Sequence, residues 1–149
     1  MFTRLLAAVD DGVLTDESAY VVHRAATVVA LLNAYPYGTG HLLVLPYREV
    51  ATLDACTDAE RQELWTTMQA GAAAVTAAYA PDGINLGFNV GAAAGASVPS
   101  HLHGHVLPRW AADTNFVTSL AEARVLPEPL STTWSRVRAA WPPPQDTGR

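Results

Sequence analysis

Histidines at alternate positions constrain this chain more than any other feature. His101, His103 and His105 are separated by Leu102 and Gly104 and followed by Val106, Leu107 and Pro108. In extended backbone, residues two apart point to the same face. The spacing therefore predicts a strand over His101–Pro108 with all three imidazoles on one surface. Leu102 and Val106 then face the other way, and Gly104 leaves a gap in that apolar face.

The rest of the chain offers partners for such a strand. Tyr20–His23 and Thr27–Leu32 are rich in β-branched and aromatic residues and read as strands. His41–Leu45 reads as another, stopped by Pro46, and Ile84–Val90 as a fourth. Asp10-Asp11-Gly12 and the 35–40 stretch read as turns, and 91–100 as a loop of small residues. Thr57-Asp58-Ala59-Glu60 is a capping box that opens a long helix. Leu64, Met68, Ala72, Val75 and Tyr79 recur on it at helical spacing until Pro81-Asp82-Gly83. Pro127–Trp141 reads as a last helix. The pattern predicts an α+β domain over 1–141, with an antiparallel sheet of about five strands, one long helix and a C-terminal helix. Residues 142–149 read as a polar, flexible tail.

Composition narrows the functions. The net charge is -5, and all nine Lys-plus-Arg positions are Arg. A chain without a basic patch is a poor partner for nucleic acid or an anionic membrane. The lack of Lys excludes a Schiff-base lysine and a P-loop lysine. The lone Cys56 excludes an internal disulfide and a multi-cysteine zinc site. No apolar run approaches the roughly 18 to 20 residues of a membrane span, and the first residues lack a basic leader. The expectation is a cytoplasmic protein.

The imidazole row admits three uses. It is a polar strand face without chemistry, a metal site, or a phosphate site. Two His at i and i+2 can share an ion, but same-face positions on a strand rise roughly 6.8 Å per pair of steps, so a third on the same strand is harder to bring to that ion. Imidazoles can also donate to phosphate oxygens, and a neutral one can attack phosphorus. The stretch before the row favours an anion: Asn89 supplies an amide, Gly91 and Gly95 a pliant loop with backbone N–H groups, and Ser97 a hydroxyl. The nearest acid downstream is Asp113.

His101-Leu102-His103-Gly104-His105-Val106-Leu107 resembles the signature of the histidine triad (HIT) superfamily. Asn89-Val90-Gly91, Gly95-Ala96-Ser97-Val98, Pro108-Arg109-Trp110 and the whole stretch 32–48 are similar to that family too. Asp113 with Asn115-Phe116 looks like the bacterial diadenosine tetraphosphate phosphorylase-like branch. The resemblance implies a homodimer and nucleotidyl transfer or hydrolysis through a covalent nucleotidyl-histidine. His103 would be the nucleophile, and His101 and His105 would position or protonate phosphate oxygens. His41 would buttress the row. Asn89, Gly95 and Ser97 would bind phosphate or leaving group, and Asn33 the ribose. A turn-starting Asn is the plainer use of Asn33. Leu5, Val28 and Leu31 are candidates for contact with the base.

Several positions depart from the family pattern. Gly104 stands where the family carries an apolar side chain, which loosens the backbone. Thr3 and Glu49 stand where zinc-holding members carry ligands. The resemblance therefore implies no structural zinc, no resident cofactor, and at most a Mg²⁺ that arrives with substrate. Ser97 is separated from His101 by three residues, where hydrolase branches have two. The expected reaction is phosphorolysis of diadenosine tetraphosphate to ATP and ADP. The alternatives are a phosphoramidase or dinucleotide hydrolase, the fold reused on a non-nucleotide biosynthetic substrate, and a nucleotide-binding adaptor without catalysis.

Overall fold

A computed structural model describes residues 2–111, 113 and 128–143. Helix α1 spans Phe2–Asp10, strands β1 Val21–Arg24, β2 Val28–Leu32 and β3 Leu42–Pro46, and helix α2 Asp58–Tyr79. Strands β4 (Gly83–Phe88) and β5 (Gly104–Arg109) follow, then helix α3 (Leu130–Ala139). Asn115, Phe116, Pro127 and the tail over 144–149 lie outside the described residues.

The five strands form one sheet in the order β1-β2-β3-β5-β4, antiparallel throughout. The expected α+β architecture and strand count hold. Each expected strand is present, with its ends moved by at most three residues.

The helix α2 starts where its cap predicts. Thr57 accepts the backbone N–H of Glu60, and the Glu60 carboxylate accepts the backbone N–H of Thr57. Arg48 also donates to Glu60 at 2.7 Å and, mainly for that reason, holds its carboxyl down to about 2. The helix ends at Ala80 in the left-handed region (φ 46°), and Pro81 follows.

Each face of the sheet has its own core. Leu64, Met68 and Val75 of α2 and Val137 of α3 pack with Val28, Ala30, Leu32, Leu42, Val44, Leu102 and Val106. The opposite face carries Val21, Val29, Leu31, Leu43 and Leu45 under Phe2 and Leu6 of α1. Helix α1 was not anticipated, although Phe2, Leu5, Leu6 and Val9 have helical spacing that marks about two amphipathic turns.

Gly104 corrects another expectation. The gap between Leu102 and Val106 is filled: a Cβ on Gly104 would lie 2.6 Å from Met68 Sδ and 2.9 Å from Phe88 Cε1. The glycine admits two neighbours that a side chain would collide with.

Candidate active site

The regular strand starts at Gly104, not at His101. The reason lies in β3. Leu42, Leu43 and Val44 pair with Val106, His105 and Gly104, and the ladder stops there. Farther along, the 46–50 segment holds the 100–102 stretch by mixed contacts instead. The Leu102 N–H donates to the Val50 carbonyl (2.6 Å), and the His101 ring meets the Pro46 carbonyl.

The imidazole row survives this change. His105 lies opposite Leu43, so both point to the α1 face. The rings of His103 and His105 are 5.1 Å apart, and Phe2 packs on His103 (5.4 Å) and His101 (5.6 Å). His41, expected as the buttress, is buried 5.1 Å from His105 by ring centroids.

Hydrogen bonds assign the protons. His103 Nδ1 lies 2.8 Å from the His101 carbonyl oxygen, which can only accept. Neutral His103 therefore carries its proton on Nδ1 and keeps a lone pair on Nε2. The Tyr37 backbone N–H donates to His41 Nδ1 at 3.0 Å. This leaves the proton of neutral His41 on Nε2, which donates to His105 Nδ1 at 2.9 Å. Neutral His105 must then carry its proton on Nε2. That atom is buried and has no partner among the described residues. The row thus offers a nucleophilic lone pair on His103 beside an N–H donor on His105.

Burial keeps the flanking rings neutral. It lowers His105 to about 4, and the neighbouring His103 adds to this. Burial also lowers His101, against the opposing pull of the Pro46 carbonyl and the Glu49 carboxylate. His101 Nε2 donates to Pro46 at 2.8 Å, while its Nδ1 is buried without a partner among the described residues.

The remaining expected residues fall in different places. Asn89 is half-buried and joins His105, Tyr37, Asn85, Gly87 and Leu107 around an open groove of about 220 Å³. Gly95 is close by: a Cβ there would come within 4.0 Å of the Asn89 amide nitrogen, and its φ of 85° suits glycine. Ser97 is exposed in the same loop and makes no hydrogen bond among the described residues. Asn33 Oδ1 accepts the Tyr35 N–H (2.9 Å), the turn use foreseen for it, while its Nδ2 lies 3.4 Å from His41 Nδ1. Of the expected base contacts, Leu5 and Leu31 lie on the imidazole side. Val28 packs under α2 on the opposite face and cannot take part.

Tyr37 is a further site residue that sequence reasoning did not single out. Its ring stacks on His105 at 5.8 Å and tilts over His41 at 4.6 Å while remaining 41% exposed. An aromatic four residues before a buttressing histidine carries no spacing signal of its own. Thr3 and Glu49 hydrogen-bond each other at 2.7 Å. No three His, Cys, Asp or Glu side chains among the described residues could jointly hold a metal ion.

Residues 15–112 match the family described as the HIT domain. The chain belongs to the HIT-domain family. Across 128 residues this HIT chain is 42% identical to an AP-4-A phosphorylase of Mycobacterium tuberculosis. The alignment covers 86% of this chain and 66% of that one, so the chain spans just under two thirds of that relative. It is 33% identical over 93 residues to an asymmetrical bis(5'-nucleosyl)-tetraphosphatase of Schizosaccharomyces pombe, covering 62% of this chain and 50% of that one. In fold it is similar to a zinc-bound histidine triad family protein of Mycobacterium smegmatis. The TM-score there is 0.71 at 24% identity, covering 92% and 91% of the two chains.

Proposed function

We propose that this HIT-domain chain is a cytoplasmic enzyme that splits diadenosine tetraphosphate with phosphate, through a nucleotidyl group carried on His103. The observation that carries the reading is the His103 Nδ1 contact with the His101 carbonyl, beside a His105 N–H that has no partner among the described residues. The 42% identity to an AP-4-A phosphorylase supports the substrate.

The steps use the chain's own imidazoles. The His103 Nε2 lone pair attacks the α-phosphorus of one adenosine. A P–N bond forms, and the P–O bond to the rest of the molecule breaks, releasing ATP with the electron pair. The His105 N–H stabilises charge on the phosphoryl oxygens. In the second step an oxygen of inorganic phosphate attacks the same phosphorus. The P–N bond breaks, ADP leaves, and the lone pair returns to His103. Covalent transfer divides one difficult displacement into two easier ones. Any cation in these steps would travel with substrate.

The partner is then a nucleotide rather than nucleic acid, and a second copy of the chain. Strand β4 ends the sheet, and Leu86 on it, Trp65 on α2 and Val90 beyond it are 43%, 48% and 44% exposed. An apolar sheet edge of this kind favours pairing with its own copy.

A second reading has water as the acceptor, giving AMP. The identity to a tetraphosphatase supports it. Chromatography of the products from diadenosine tetraphosphate, with and without phosphate, separates the two. ATP plus ADP that require both phosphate and His103 is the expected result. AMP formed without phosphate selects the hydrolase, and turnover by His103→Ala overturns both.

A further inference from the structure

We propose that Glu49 is a positioning residue: with Thr3 and Ser100 it clamps the His101 end of the imidazole row and so fixes the proton of His103. The inference rests on the proposed role of His103, but part of its test does not.

The Glu49 carboxylate accepts two hydroxyls from separate parts of the chain. Thr3 of α1 donates to Oε2 at 2.7 Å, and Ser100 donates to Oε1 at 2.8 Å. These bonds hold its carboxyl below the usual carboxylate range, with Thr3 the larger cause. One side chain thereby ties α1, the turn after β3 and the residue before His101 together.

What it ties is the stretch that sets His103. The β3–β5 ladder has ended by this point, so no strand pairing fixes 100–102. Three contacts with the 46–50 segment stand in for it. They are Pro46 carbonyl to His101 ring, Val50 carbonyl to Leu102 N–H, and Glu49 to Ser100. The Thr3 contact adds the fourth corner, because Thr3 follows Phe2, whose ring packs on both His101 and His103. The His101 carbonyl that accepts the His103 Nδ1 proton sits inside this frame. If it drifts, neutral His103 can move its proton to Nε2 and lose the attacking lone pair. Glu49 touches none of the reacting atoms and acts on His103 through this carbonyl.

The test uses ring-¹⁵N histidine in the full chain, read by NMR, together with steady-state kinetics. In the parent protein His103 should show one tautomer, protonated at Nδ1. Glu49→Ala should give a mixture of tautomers and about a tenfold fall in kcat with little change in KM. Thr3→Val and Ser100→Ala should each give part of the effect, and Thr3→Val should add nothing to Glu49→Ala. Thr3→Ser, which keeps the hydroxyl, should hold the parent tautomer. An unchanged His103 tautomer in all three variants overturns the proposal, even where the melting temperature falls. Absence of any nucleotidyl transfer by the parent protein would instead overturn the proposed function and leave the tautomer reading standing.

Discussion

His41 Nε2 lies 2.9 Å from Nδ1 of His105, and the backbone N–H of Tyr37 reaches the other nitrogen of His41. A backbone amide thus dictates the tautomer of a buried ring, which dictates that of the next. The second ring ends up presenting an N–H. Removing it by His105→Ala should lower kcat by about 10²–10³-fold, the scale of one preorganised donor to a developing oxyanion. His41→Ala should lower kcat by a smaller factor, since His105 keeps its ring but loses its fixed proton. Steady-state kinetics with diadenosine tetraphosphate measures both.

Acid should destabilise the fold in two separate windows. His105 has a native value of about 4 against an unfolded value near 6.5. Between those values the unfolded chain takes a proton that the native ring refuses. Stability is therefore full above about 6.5 and falls as pH drops toward 4. His101 and His23, both lowered by burial, act in the same direction. Glu60, held at about 2 chiefly by Arg48, contributes stability above about 4.5 that is lost as pH falls toward 2. Melting temperatures between pH 8 and 3 should show the first decline beginning above pH 5. His105→Gln should flatten that part of the curve.

Gly104 and Met68 should be energetically coupled. Gly104→Ala places a Cβ 2.6 Å from Met68 Sδ and should cost about 1–3 kcal/mol by overpacking. Met68→Ala alone should cost about 2–5 kcal/mol, because the side chain is fully buried. The double variant should cost less than the sum, since the smaller residue makes room for the new methyl. Urea unfolding of the four proteins tests this. Strict additivity would mean that Met68 does not fill the space beside Gly104.

The cap of α2 offers an independent check on the scaffold. Thr57 accepts the Glu60 N–H at 3.2 Å, so Thr57→Ala should cost about 1 kcal/mol. Thr57→Asp, which keeps an acceptor at the helix N-terminus, should recover most of it. Denaturant midpoints measure both.

The legible part of this protein was the part governed by period and by local chemistry. Alternate histidines put His103 and His105 on one face because extended backbone leaves no other option. Thr57 and Glu60 announced α2 because a capping box is satisfied within four residues. The illegible part depends on tertiary neighbours. The His101 end reads as a strand by pattern, yet it is held by Pro46 through the His101 ring and by Val50 through the Leu102 N–H, and both lie some fifty residues earlier. Gly104 reads as a weakness because Met68 and Phe88 reach it from elsewhere in the chain. Val28 and Leu31 look alike in sequence. Only the sheet decides that Leu31 shares the imidazole face and Val28 does not.

The lone pair on His103 is the centre of the account, and the covalent intermediate tests it most directly. The protein should be mixed with diadenosine tetraphosphate in the absence of phosphate, quenched in alkaline denaturant and digested for mass spectrometry. The account predicts one AMP added to the peptide that contains His103, lost again when phosphate is supplied before the quench. Turnover of the dinucleotide with no adduct on that peptide, or an adduct on His101 or His105 instead, would contradict it.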